Sequence, residues 1–242
     1  MLYFCYIFLI FFISSILGYF VEITFCSIES KKIVFNRGFL MGPYIPIFGV
    51  GTVLIGLFLA RYRNDPFIFF WMTVILCSFV EYITSYVMEK LFQVRWWDYS
   101  HEPFNYNGRV CLKVSMLFGI AGLFLIYTYY PFLLRLLNHL SPFVLVLFSI
   151  FCFLVFITDL CFTTLALFRV KNNLKKFAGK DVTEEARREV LKLIHNHDFS
   201  LNRLLLAFPK SEKFNKQEFR EFRRSVIEYR NERKEKRKRK KL

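Results

Sequence analysis

The fold class predicted is all-α: a polytopic membrane helical bundle of about five transmembrane helices with a basic helical cytoplasmic tail. Three observations predict it. Five apolar stretches fill the first 168 residues, most of them about 20 residues long, enough for a ~30 Å hydrocarbon core. Hydrophobic residues are 55% of the chain and aromatics 20%, with 32 Phe, where a soluble domain is roughly 45–50% apolar. Charge is segregated: residues 169–242 carry 24 Lys and Arg against 11 Asp and Glu, and residues 1–168 carry 10 against 8. The expected division is a transmembrane domain over 1–168 and a basic amphipathic tail over 169–242.

The first apolar segment runs from about Leu2 to Val21 without a charge and ends at Glu22, with helix expected to continue toward Ile28. It lacks a positive n-region and a small-residue cleavage site, so it reads as an anchor, not a signal peptide. Ser14, Ser15 and Gly18 would let a neighbouring helix come close. A polar loop from Glu29 to Arg37 follows, and then Gly38-Phe-Leu-Met-Gly42-Pro43-Tyr-Ile-Pro46-Ile-Phe-Gly49-Val-Gly51. Two prolines and four glycines preclude a regular helix start there. Irregular backbone survives at membrane depth only where protein or water covers it. The stretch is therefore either a broken entry to the second segment or an interfacial loop. The second segment continues to Ala60.

Asp65-Pro66 marks a turn, and the third segment spans about Phe67 to Met88 with Glu81 well inside it. Next comes Arg95-Trp96-Trp97-Asp98-Tyr99-Ser100, continuing to Phe104-Asn105-Tyr106-Asn107-Gly108-Arg109. Asn107-Gly108 is a turn signal, so this loop should fold back there. The fourth segment is expected from Val110 to Tyr130, stopped by Pro131. The fifth is expected from Phe143 to Phe168, interrupted by Asp159.

Basic residues orient the chain. Lys31, Lys32, Arg37, Lys90, Arg95, Arg109 and Lys113 fall on one side of a five-span bundle, and Arg61, Arg63 and Arg135 on the other. With the basic tail this predicts an outside N-terminus and a cytoplasmic C-terminus. The aromatic loop and the Gly/Pro stretch are then on the same side, and they are expected to meet.

In the tail, Asp181 with Glu184 resembles a helix N-cap, and Leu201, Leu204, Leu205 and Phe208 recur at helical spacing before Pro209. A basic amphipathic helix suits an anionic lipid surface. Nucleic acid is an unlikely partner, because no recognition fold surrounds the basic run. His195-Asn196-His197-Asp198 places its histidines two apart, off a common helix face, and predicts no metal site. The six cysteines show no CxxC pair and read as small hydrophobes. No cofactor is expected.

The chain has no GxxxxGK[ST] phosphate loop, no GxSxG elbow and no HExxH helix. It is not expected to hydrolyse ATP by itself, and no catalytic residue is assigned. What stands out is charge within the spans, which costs at least roughly 2.5–3.5 kcal/mol at a helix centre and usually faces a partner or a cavity. Glu22, Arg37, Glu81, Glu89, Arg95, Asp98, Asn105 and Arg109 are the candidates for lining a polar, cytoplasm-facing cavity. Arginines there would suit a phosphate or carboxylate. The alternative is that these groups are ion pairs tying helices together. Trp96, Trp97 and Tyr99 are membrane-interface candidates, since such rings favour the headgroup level.

The Gly38–Gly49 string, Glu81-Tyr82 with Glu89, Arg95-Trp-Trp-Asp-Tyr-Ser100 and Phe104-Asn-Tyr-Asn-Gly-Arg109-Val-Cys111-Leu112 resemble the motifs of the Putative ABC-transporter type IV family. These are CmpB-type, permease-like small bacterial integral membrane proteins. The resemblance covers about residues 1–170, and Leu204 to Pro209 is similar to the family's tail. It implies a permease-like component of a transport system in the bacterial plasma membrane. It leaves the substrate open. The partners expected are the lipid bilayer, a separate ATPase or other membrane subunit, and a second copy in a homo-oligomer. A scaffold or regulator whose tail binds anionic lipid or a protein partner is the second reading. A lipid-phosphate enzyme using Glu81 or Asp98 as acid/base and Arg95 or Arg109 as clamp is the third.

Overall fold

The structure is a computed structural model that describes residues 2–30, 38, 40–92 and 97–177. The expectations for Arg37, Arg95, Trp96 and the tail beyond residue 177, including its lipid-binding helix, lie outside the described residues. The chain divides into two compact units, residues 1–87 with 97–161 and residues 88–96 with 162–242. The first holds the bundle. The described part of the second comprises the end of one helix and the continuation of another.

Among the described residues six α-helices form in order: α1 (Leu2–Ser30), α2 (Pro46–Leu54), α3 (Pro66–Phe92), α4 (Leu112–Phe124), α5 (Tyr130–Asn138) and α6 (Pro142–Phe177). A two-stranded hairpin, β1 (Asn105–Tyr106) with β2 (Val110–Cys111), lies between α3 and α4. Prolines open three of the helical runs, at Pro46, Pro66 and Pro142. That is where a missing N–H costs nothing.

Among the described residues four helical segments are long and apolar enough to cross a membrane: Leu2–Ile28, Pro66–Leu91, Leu112–Asn138 and Pro142–Leu165. The fifth apolar segment, Pro46–Tyr62, is shorter. It passes from α2 through a π-helical turn, Ile55–Leu59, into a 3₁₀ turn, Ala60–Tyr62.

The helices of the first unit alternate in direction. Ser14 meets Tyr129 at 3.0 Å and Tyr6 meets Asn138 at 2.8 Å, so the α4–α5 run is antiparallel to α1. The Ser78–Ser115 bond of 2.7 Å joins α3 to α4. The Phe69 and Tyr127 rings lie 6.5 Å apart, which makes that pair antiparallel too. Phe8 packs on Phe153 and Phe11 on Phe156, so α1 and α6 run the same way.

Within this frame the Gly/Pro stretch is a broken entry to the second segment. The Ile45 N–H donates to the Ser15 carbonyl at 2.8 Å, near the middle of the α1 span. From there α2 runs back along α1. Gly49 is buried against Ser15 and the Phe11 carbonyl, where a Cβ would collide with both. Residues 40–45 are thus non-helical near the middle of α1, and the helical part of the segment starts there.

The non-helical backbone is satisfied from α6. Asp159 accepts the Met41 N–H at 3.0 Å, the Gly42 N–H at 2.7 Å and the Tyr44 hydroxyl at 2.5 Å. Around this clip, Leu9, Phe12, Leu40, Tyr44, Leu133 and Leu145 form the main core. A second cluster comprises Ile55, Leu59, Phe69 and Ile126. Outward faces are apolar throughout, as on α6 with Phe143, Leu147, Phe151 and Leu154, because lipid replaces water as the solvent.

Pro131 does not end the fourth segment. The helix continues through a π-helical turn, Leu125–Tyr129, into α5 and stops at Asn138. A π turn rearranges the carbonyls that a proline leaves without an N–H, so the apolar run proceeds. Likewise α6 continues past residue 168 to Phe177.

Two outcomes follow for thermal unfolding in detergent. Gly49→Ala should destabilise by about 1–3 kcal/mol through overpacking, while Gly51→Ala, which meets nothing within 4 Å, should be neutral or slightly stabilising. Asp159→Ala should destabilise more than Asp159→Asn, since each buried donor left without an acceptor costs about 1–3 kcal/mol and asparagine keeps one acceptor oxygen.

Candidate functional site

The third span carries a stripe of polar side chains at four-residue spacing: Thr73, Cys77, Glu81 and Ser85. Residues four apart lie on one helix face. Thr73 is 0% exposed, Glu81 4% and Ser85 3%, and Cys77 is half-buried. Opposite Thr73, α4 carries Gly122, which leaves room for the threonine side chain where a Cβ would collide with it. Glu89 falls in the same register and is buried; it sits in the last turns of α3, in the second unit.

The aromatic segment folds back over this helix instead of extending away from it. The hairpin explains why. Asn107 and Gly108 both adopt positive φ, 53° and 65°, and the Arg109 N–H closes the turn on the Tyr106 carbonyl at 3.1 Å. That is the backbone for which Asn-Gly is selected. Asn105 builds the same turn: its side chain donates to the Glu102 carbonyl at 2.8 Å and accepts the Gly108 N–H at 3.0 Å. Asp98 accepts the Ser100 N–H at 3.0 Å and the Ser100 hydroxyl. The Trp97 indole N–H donates to the Arg109 carbonyl at 2.9 Å, and the Tyr99 N–H to the Gly108 carbonyl at 2.8 Å.

So braced, the segment lays its aromatic and polar groups along α3. The Tyr106 ring packs tilted at 5.6 Å from the Tyr82 ring, whose hydroxyl accepts from the Asn107 amide at 3.3 Å. The Arg109 guanidinium, 9% exposed, lies 5.4 Å from the Tyr82 ring and 5.5 Å from Tyr86. A cation over two ring faces is held electrostatically, more strongly where water is excluded. The Tyr99 hydroxyl reaches Glu81 and donates to its Oε1 at 3.1 Å. Among the described residues, Glu81 Oε2 and the Ser85 and Thr73 hydroxyl oxygens are buried without a hydrogen bond.

Glu22 lies on α1. It acts electrostatically on Glu81 and Tyr99 and accepts from the Cys26 thiol at 3.3 Å. Burial, reinforced by the Glu81 carboxyl, pushes the Tyr99 hydroxyl well above its ordinary value. Lys113 pairs with Glu102 at 3.8 Å, but both side chains are exposed and the pair is worth little.

Of the residues predicted from the sequence, Glu22 and Glu81 converge with Tyr99. Arg109 holds the neighbouring tyrosine face. Asp98 and Asn105 shape the segment that delivers Tyr99. The contacts of the Gly/Pro stretch described above run to α1 and α6, and those of the aromatic segment to α3. Cys77, Ser85, Tyr82 and Tyr86 were missed as site residues. The four-residue recurrence of polar types through an apolar helix is the signal that finds the first two. An apolar groove of about 510 Å³ between α1, α2 and α6 lies elsewhere and is lined by residues such as Phe8, Val53 and Phe153.

An antiparallel set of apolar helices with polar groups turned inward defines a polytopic helical membrane protein. Residues 9–164 match the family model described as Putative ABC-transporter type IV, and the chain belongs to that family. That makes it a membrane protein related to transport. No curated protein and no solved structure matches the chain.

The Tyr99 environment carries a pH dependence. The folded state holds the hydroxyl proton more tightly than the unfolded chain, whose tyrosines titrate near pH 10. The associated stability is complete below about pH 10 and is lost as pH rises from there toward the raised folded value. In alkaline unfolding titrations, Tyr99→Phe should therefore show a shallower loss of stability above about pH 10 than the wild type.

Proposed function

We propose that this chain is the permease-like component of a transport system in the bacterial plasma membrane, and that the Glu81 site is its working centre. One observation carries the reading. A carboxyl buried deep in an apolar span has one oxygen held by Tyr99 and the other without a protein donor among the described residues. Groups of this kind are expensive in a membrane and mark substrate or ion pathways. A purely structural carboxyl is expected to look like Asp159, with donors at both oxygens.

The site faces the cytoplasm in this reading. The basic residues place the ends of α1 and α3 inside, and the passage of residues 38–62 across the bundle supports an odd number of crossings, with the N-terminus outside. Energy comes from a separate ATPase, because the sequence holds no phosphate loop. The Lys/Arg-rich tail is suited to anionic lipid or to that partner.

The test is purification of the full chain from its native membrane in mild detergent, with a deletion strain complemented by variants. An ATPase subunit should copurify with the wild type. Glu81→Gln should keep the complex but lose at least tenfold in complementing activity. Repeated recovery of the chain alone, or full activity of Glu81→Gln, would contradict the proposal.

A further inference from the structure

We infer that Glu81 is a proton-binding site within the membrane, served by the polar stripe of α3. The inference deepens the reading of Glu81 as the working centre and rests on it for its functional meaning, but not for its chemistry.

Three buried oxygens without a hydrogen bond stand on one face of one helix: Thr73 Oγ1, Glu81 Oε2 and Ser85 Oγ. Native proteins rarely leave such atoms unsatisfied, and each calls for a ligand or bridging water. Steps of four residues advance about 6 Å along a helix. That is the span of two hydrogen bonds of about 2.8 Å through one water. From Thr73 through Cys77 and Glu81 to Ser85, the stripe covers about 18 Å, more than half of a ~30 Å hydrocarbon core.

The ligand chemistry follows from the donor set. Oε2 of Glu81 is an acceptor without a donor. Around it stand Cys77 on its own helix, Glu22 on α1 and Tyr99 on the aromatic segment. Asp98, Arg109 and Cys111 lie further along that segment, and Lys113, at the start of α4, is turned to Glu102. The Arg109 guanidinium lies over the Tyr82 and Tyr86 rings. With a second carboxyl nearby and an unoccupied lone pair on Oε2, the site calls for positive charge. A proton needs no coordination shell and is the cation a closely packed stripe can take.

In the step, a proton arriving by way of Ser85 forms an O–H bond at Oε2 and cancels the carboxylate charge. Release runs the same route backward. Tyr99 stays on Oε1 throughout, so it is a positioning residue that favours the ionised form through its O–H donor.

The test is infrared titration of the full chain in lipid nanodiscs, following the carbonyl stretch of a protonated carboxylic acid. A titrating band should be present in the wild type, absent from Glu81→Gln and retained in Glu22→Gln and Asp159→Asn. Tyr99→Phe should move its midpoint up by roughly one pH unit. A band unchanged in Glu81→Gln overturns the inference, as does the lack of any band across the titration. A band that disappears when sodium or potassium replaces choline also overturns it, in favour of a metal cation. Should Glu81→Gln fail to assemble, Tyr99→Phe decides, and an unmoved midpoint is then negative. A band lost in Glu81→Gln while transport continues supports the proton site and removes the transport reading. Transport lost with the band intact does the reverse.

Discussion

Backbone that leaves the helical form inside a bilayer has to find its hydrogen bonds within the protein. Much of this structure answers to that constraint. The chain enters its second passage as non-helical backbone at the level of Ser15, and Asp159 is what makes this tolerable. One carboxyl takes two backbone N–H groups and a tyrosine hydroxyl, while the Ser15 carbonyl takes the Ile45 N–H. Because the clip comes from α6 and the carbonyl from α1, these two parallel helices are tied through the same few residues. The main core forms around that tie. The close approach of α2 to α1 at Gly49 completes it.

The aromatic segment answers the same constraint differently. Its polar groups satisfy one another through a tight Asn-Gly turn, the Asn105 bridge and the Asp98–Ser100 bonds. A segment closed on itself in this way can be laid against an apolar span at small cost. That leaves a few side chains free to address α3. Arg109 is held on tyrosine faces and Tyr99 on Glu81. The contrast between the two intramembrane acids follows. Asp159 accepts donors at both oxygens and is structural. Glu81 has Tyr99 at one oxygen and, among the described residues, no donor at the other. The family to which the chain belongs relates it to transport, and the role proposed for Glu81 rests on this contrast.

What could be read from the sequence is what depends on neighbours along the chain. The apolar runs, the proline starts at Pro46, Pro66 and Pro142 and the Asn107-Gly108 turn are local matters of hydropathy, missing N–H groups and positive φ. The family resemblance was legible too, since it rests on contiguous motifs. Glu81 was legible as a candidate because a charge in an apolar run is conspicuous on its own. Cys77 was not, because a thiol passes unnoticed in a membrane helix until it is seen to share a face with a buried acid. Pro131 misled for a related reason. Its local effect is to stop a helix, and only the surrounding packing allows a π turn to carry the helix past it.

The sequence by itself determined a helical membrane protein, its family and the sites of its turns, because burial in lipid selects residues one segment at a time. Tertiary structure alone decided the partners. Asp159 lies more than 110 positions from the backbone it caps, and Tyr99 reaches 18 positions back to Glu81. No local pattern encodes such pairings. They follow from which helices pack and in which direction, and that packing is what gives Asp159 donors at both oxygens and Glu81 a single one from Tyr99 among the described residues.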